Sequence, residues 1–147
     1  MRPDPHSYRD DSQGHITHAD IHWKVDFENK IIDAQIEYTI ADHDAEYIDL
    51  DTNHLEITLI TSLGEYVKWE LADEEPILGR RLRIHLPSGS RKFFIQYKVL
   101  SSSAALQWLE PEQTFDKIYP FLYSQCQAIA ARSLLPIQDT PSIRFTY

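Results

Sequence analysis

The side chains with the clearest chemical potential in this sequence are its histidines, its clustered acids, its single thiol and one pair of glutamines. His18 and His22 stand four residues apart, the spacing zinc peptidases use when both imidazoles rise from one helix. Their surroundings read as a strand, in which four residues at about 3.3 Å each separate the side chains by roughly 13 Å. Two ligands at about 2.0–2.1 Å from one zinc must lie much closer together. The run His18, Asp20, His22, Lys24, Asp26 is therefore read as a solvated strand face. His15, His43, His54 and His85 stand isolated at strand ends or turns. No metal site is expected.

The acids Asp42, Asp44, Glu46, Asp49 and Asp51 lack the glycine pivot and closing glutamate of a calcium loop. They read as a surface charge cluster, with Asp49 and Asp51 alternating with Ile48 and Leu50 as on a half-buried strand. Cys126 is the only thiol, Ser101 to Ser103 have no neighbouring histidine, and no G-x-S-x-G elbow occurs. Gly14, Gly64, Gly79 and Gly89 are too scattered for a phosphate cradle. Gln125 and Gln127 are more informative. In extended backbone, residues two apart point to the same side, so these amides would present paired donors and acceptors suited to a peptide backbone or terminus. They could equally satisfy buried backbone groups of their own loop.

These residues have to be carried by a β framework. Ala19, Ile21, Trp23, Val25 and Phe27 alternate with polar residues, and after the turn Glu28-Asn29-Lys30 the parity inverts through Ile32, Ala34, Ile36, Tyr38 and Ile40. That is an antiparallel hairpin with one buried face. Further strands are predicted at 47–51, 55–61, 66–71, 82–86 and 93–99, separated by turn formers, which argues for an all-β sandwich or curved antiparallel sheet. Residues 1–14, with Pro3, Pro5 and Gly14, read as an irregular N-terminal segment ahead of one β domain over 15–147. After Ser103 the alternation weakens, prolines gather (Pro111, Pro120, Pro136, Pro141), and a helix is predicted from about Cys126 to Leu134, closed by Pro136. Ile143 to Tyr147 alternates like a strand and reads as a cut inside a larger protein.

Composition narrows the partners. The 147 residues hold 14 Lys+Arg against 23 Asp+Glu, a formal net charge of −9, with 42% hydrophobic and 12% aromatic residues. Such a chain folds on its own core rather than staying disordered. Its charge repels a phosphate backbone, so nucleic acid is an unexpected partner. One cysteine excludes an internal disulfide. No run approaches the ~18 apolar residues of a membrane span or a secretory leader's apolar core, so the expected setting is soluble and cytoplasmic.

Three ordered blocks carry a family resemblance: Ser103-Ala104-Ala105-Leu106-Gln107-Trp108-Leu109-Glu110-Pro111-Glu112-Gln113-Thr114, then Pro120-Phe121-Leu122-Tyr123-Ser124-Gln125-Cys126-Gln127-Ala128-Ile129, then Arg132-Ser133-Leu134-Leu135-Pro136-Ile137-Gln138-Asp139-Thr140-Pro141-Ser142. With weaker support from Asp4 to Tyr8 and from the first hairpin, the chain resembles the N-terminal domain of the zinc aminopeptidases related to leukotriene A-4 hydrolase and aminopeptidase B. The resemblance implies a saddle-shaped, mostly antiparallel domain roofing a separate thermolysin-like catalytic domain of the same polypeptide. It implies that Gln127 helps hold the free amino end of a peptide substrate, while Gln125 and Ala128 line the specificity pocket. Ala130-Ala131 stand where relatives close to the vertebrate hydrolase carry His then Cys, and the reading is a plain aminopeptidase. The family's H-E-x-x-H, its downstream glutamate and its G-x-M-E-N motif are absent from these residues. This chain would therefore supply substrate contacts and no catalytic residue, with zinc belonging to the full-length enzyme.

Two other classes remain. One is a stand-alone, non-catalytic peptide- or protein-binding β module; the other is a carbohydrate-binding sandwich built on Trp23, Trp69 and Trp108, although Trp23 falls on the apolar face of its strand and reads as core. If Trp108, Phe121, Tyr123 and the last strand face a further domain, the chain by itself exposes an apolar patch and self-associates.

Overall fold

A computed structural model describes residues 2–41 and 44–147; Met1, Asp42 and His43 lie outside the described residues. The strands in chain order are β1 (Ile16–Asp26), β2 (Ile31–Ile40), β3 (Tyr47–Thr52), β4 (Leu55–Ser62), β5 (Glu65–Tyr66), β6 (Trp69–Leu71), β7 (Arg80–His85), β8 (Lys92–Val99), β9 (Leu106–Leu109) and β10 (Phe121–Ser124). They form a five-stranded sheet in the order β1-β2-β8-β4-β5, a three-stranded sheet β3-β7-β6 and a two-stranded ribbon β10-β9. Every named strand pair is antiparallel. The expected all-β architecture is what forms.

The first hairpin shows why. Trp23 lies opposite Ala34 and Val25 opposite Ile32, and the Asp26 carboxylate closes the turn by accepting the Asn29 backbone and side-chain N–H at 2.9 and 2.8 Å. Ile32, Ala34, Ile36, Tyr38 and Ile40 are all buried, as their alternation requires, and join Phe93, Ile95, Tyr97 and Val99 of β8 with Ile48, Leu50, Leu82 and Ile84 of the smaller sheet in one core. Each such side chain contributes about 1.5–3 kcal/mol on burial.

The strand expected over 66–71 divides in two. Leu63 and Gly64 take positive φ of 53° and 81°, β5 pairs with β4, and after Val67 and Lys68 the chain changes sheets so that β6 pairs with β7. β1 also departs from expectation at its far end. It is an edge strand, so Trp23 stays 37% exposed rather than entering the core, its indole N–H donating to the Tyr97 hydroxyl at 3.1 Å.

The largest correction concerns Asp49 and Asp51. They are 2% and 0% exposed, not a surface charge cluster, because the second face of β3 is covered by the two ends of the chain. Asp49 receives the Arg83 guanidinium on both oxygens at 2.8 Å and the Gln13 amide at 2.9 Å. Asp51 accepts from the Ser7 hydroxyl (2.6 Å), the Tyr8 N–H (2.7 Å) and the Asp139 N–H (2.8 Å). Arg132, 1% exposed, donates to the Asp139 carboxylate, the Leu78 carbonyl and the His6 carbonyl at 3.1, 2.9 and 2.7 Å. Residues 2–14 contain no strand or helix, yet Ser7, Tyr8 and Gln13 are built into this buried polar layer. Such groups are tolerated inside only because each is paired.

The helix expected from Cys126 to Leu134 does not form. A nine-residue segment is too short to hold a helix without tertiary support, and here tertiary contacts pull the other way. Arg132 is drawn into the polar layer, while Ile137 pairs with Asp51 through backbone hydrogen bonds of 2.6 and 3.1 Å. What remains is a series of tight turns and a short 3-10 segment over Ala131–Ser133. At the other end of the chain, Thr146 bridges β1 in parallel, accepting from the Ala19 N–H at 2.9 Å and donating to the Thr17 carbonyl at 3.1 Å.

Candidate substrate-contact loop

The glutamine pair sits at the end of the β9-β10 ribbon. Leu109 faces Phe121, Trp108 faces Leu122, Gln107 faces Tyr123 and Leu106 faces Ser124. The register carries on for one residue, the Gln125 N–H donating to the Ala105 carbonyl at 2.8 Å. Beyond it the chain leaves the strand, and Gln127 opens a turn over 127–130, so the two glutamines do not share one extended run. The Gln127 N–H donates to Gln125 Oε1 at 3.1 Å, and the Gln127–Ala128 peptide is cis. Gln125, Gln127 and Ala128 are all exposed, and the Gln127 side-chain amide has no hydrogen-bond partner among the described residues.

The loop is clamped behind as firmly as in front. The Ser103 hydroxyl donates to the Ser133 carbonyl at 2.7 Å, the Ser133 hydroxyl donates to the Ala130 carbonyl at 2.7 Å, and the Ala105 N–H donates to Ser133 Oγ at 3.1 Å. With Arg132 anchored next to Ser133, the turn 125–130 is held between two fixed points. Sequence reading weighs Ser103 only as a nucleophile and gives Ser133 no role, because a hydroxyl that fastens a loop thirty residues away leaves no local pattern. Cys126 packs under the loop against the core; burial, with the Asp139 charge second, pushes its thiol above the ordinary cysteine value. It is a packing residue held in the neutral form.

The outer face of the ribbon is apolar. Phe121 and Tyr123 stack at 6.3 Å between ring centroids, both half exposed, and Phe115 at the ribbon's tip is fully exposed. Phe115, Tyr119, Pro120, Phe121 and Leu109 line a cavity of about 360 Å³. The inner face packs down, Trp108 meeting Phe27 edge to face at 5.7 Å. Trp108 and Trp69 pack against the core, and Trp23 is held apart from them on the edge strand by its bond to Tyr97, so the three form no shared sugar platform.

His18 and His22 lie on β1, a strand throughout 16–26, and the described residues include no group of three His, Cys, Asp or Glu placed to hold a metal ion. The residues present do not fit a zinc site.

Comparison with known proteins gives one consistent picture. The family model of the peptidase M1 N-terminal domain matches residues 6–147. Leucine aminopeptidase 2 of Lodderomyces elongisporus is 37% identical over 133 residues, covering 86% of this chain and 20% of the relative. Leukotriene A-4 hydrolase of Xenopus laevis is 37% identical across an alignment of 152 positions, covering 98% and 25%. The native yeast LTA4 hydrolase structure superposes with a TM-score of 0.88 at 28% identity, over 97% of this chain and 23% of that one. An M1 zinc metallopeptidase from Deinococcus radiodurans shares the fold alone, with a TM-score of 0.64 at 14% identity. The chain spans a fifth to a quarter of the length of the relatives it matches.

Proposed function

Because this chain belongs to the peptidase M1 N-terminal domain family, we propose that it roofs the cleft of a zinc aminopeptidase acting on peptides with free N-termini, and supplies substrate contacts rather than hydrolysis. The observation that carries this reading is the exposed, doubly clamped loop with a free amide at Gln127. A substrate amine needs acceptors at a fixed position, and a turn held by Ala105 at one end and Ser133 at the other offers one from a backbone already fixed, leaving only the Gln127 side chain to be ordered at binding. Gln127 would accept from the amine through Oε1, while Gln125, whose Oε1 already holds the Gln127 N–H, sets the loop's shape and with Ala128 lines the first side-chain pocket.

The catalytic, thermolysin-like domain is assigned to the remainder of a longer polypeptide, as the relatives' greater length supports. Zinc, which when bound activates water and polarises the scissile carbonyl, belongs there too. The place of action proposed is the cytoplasm, in keeping with a single unpaired cysteine. Among the described residues no helix is long and apolar enough to cross a membrane.

The test is Gln127→Ala in the full-length enzyme. A fall of roughly tenfold or more in kcat/KM, with bound zinc unchanged by metal analysis, fits an orienting contact. Unaltered kcat/KM across several aminoacyl substrates removes Gln127 from the site.

A further inference from the structure

The loop that carries Gln127 is closed on itself by one buried hydroxyl. The Gln125 N–H donates to the Ala105 carbonyl at 2.8 Å, and the Ala105 N–H donates to Ser133 Oγ at 3.1 Å. The Ser133 hydroxyl donates to the Ala130 carbonyl at 2.7 Å, and the Ala130 N–H donates to the Cys126 carbonyl at 2.9 Å. Ser133 Oγ is therefore the atom at which the two ends of the loop meet. Its backbone is fixed to the rest of the domain on both sides. The Asn53 N–H donates to the Arg132 carbonyl at 2.8 Å, and the Ser103 hydroxyl donates to the Ser133 carbonyl at 2.7 Å. Ser103, Ala105 and Ser133 are all buried, so this circuit lies inside the domain and uses no outer face of it.

We propose that Ser133 is a positioning residue for recognition of the substrate amine, acting only through Gln127. The inference deepens the assignment of Gln127 to that amine and rests on it. A hydroxyl can donate once and also accept, and here it does both, toward opposite ends of the loop. An alanine in its place leaves the Ala105 N–H buried without its acceptor, which is costly until the backbone moves to find another. It also leaves the Ala130 carbonyl with only the Ser133 N–H, at 3.0 Å. The two ends of the loop then shift relative to each other, and the Gln127 amide moves with them. Orientation is steep in distance, a misplacement of about 1 Å costing as much as about a hundredfold. What is lost is the preference for a ligand with a free amine, while the rest of the ligand is held as before.

The experiment uses two inhibitors of the full-length enzyme, L-leucine hydroxamate and isocaproyl hydroxamate, which differ only by the α-amino group. The ratio of their inhibition constants reads the amine contact, and an inactive fraction of the preparation cancels from it. Ser133→Ala should shrink that ratio roughly three- to tenfold, and Gln127→Ala should shrink it at least as much. The double variant should lose no more than Gln127→Ala alone, as two residues acting through one contact require. A ratio unchanged by Ser133→Ala overturns the proposal, and so does a double variant in which the two losses multiply. Ser103→Ala guards against a Ser133 variant that fails to fold, because it takes one hydroxyl from Ser133 and leaves the bonds to Ala105 and Ala130. It should shrink the ratio about twofold, and no change there likewise overturns the proposal. If Gln127→Ala leaves the ratio intact, the glutamine assignment itself falls. If only the serine variants leave it intact, that assignment stands and this inference alone fails.

Discussion

The Arg132 guanidinium and the Asp139 carboxylate meet at 3.1 Å inside a layer where Arg132 is 1% exposed. The same guanidinium reaches carbonyls of His6 and Leu78, so one side chain fastens three separate stretches of chain.

Removing it takes that donor from the His6 and Leu78 carbonyls and leaves the Asp139 carboxylate with the Arg132 backbone N–H in place of a charged partner. Arg132→Ala should cost about 3–5 kcal/mol, read as a lowered urea midpoint. Arg132→Lys should recover little, because one ammonium cannot match the planar fork that serves three acceptors in different directions. Full rescue by lysine would show that charge, rather than geometry, is what the site requires.

Asp51 gives the fold a pH dependence of definite sign. Burial pushes its carboxyl above the usual 3.8, against the downward pull of the Ser7 hydroxyl, the Tyr8 N–H, Arg132 and the Asp139 N–H. An acid whose folded pKa is raised binds more protons folded than unfolded between the two values. Its contribution to stability is whole below 3.8 and is lost as pH rises through the folded value. The stability of the wild type relative to Asp51→Asn should therefore decline from pH 3.5 upward and level off once Asp51 is fully ionised. A difference that grows with pH would show that its hydrogen-bond donors and Arg132 outweigh burial.

Two glycines separate conformational cost from collision. Gly64 and Gly79 both have positive φ, of 81° and 76°, but a Cβ at Gly64 enters open space while one at Gly79 runs into the Thr52 carbonyl. Gly64→Ala should lose about 1–2 kcal/mol from the left-handed conformation alone. Gly79→Ala should lose clearly more, and equal losses in thermal unfolding would mean that the loop carrying Gly79 shifts freely.

The aromatic face of the ribbon predicts association. Phe115, Tyr119, Phe121 and Tyr123 are exposed together, more than a free monomer ordinarily leaves in water. The 147-residue chain should sediment as a concentration-dependent mixture, and Phe115→Ser with Phe121→Ser should shift it to monomer. A monomer at every concentration would show that the face is too uneven to self-pair.

Local pattern carried most of the framework into view: Ile36 and Tyr38 announce a buried face because nothing beyond their own strand decides it. Asp49 and Asp51 show where that reasoning stops. Their alternation with Ile48 and Leu50 gives the strand, but what covers their side of it comes from residues 7–13 and 132–139, and no neighbouring residue signals that. The glutamines were legible as a motif, and their turn was not, because Ala105 and Ser133 shape it from a distance. Trp23 reads as core until its strand is known to be an edge.

The buried layer also orders events in time. Asp51 emerges from the ribosome long before Asp139, and its carboxylate is only fully satisfied when the two are joined by the Asp139 N–H. Until then the polar side of the three-stranded sheet has only the part of its cover that residues 7–13 supply, and the contacts still missing link residues far apart in the chain, the kind that form slowly. A nascent chain stopped before Arg132 lacks the 132–139 part of that cover, so a chaperone meeting it would find a half-covered β3 face that the finished fold buries.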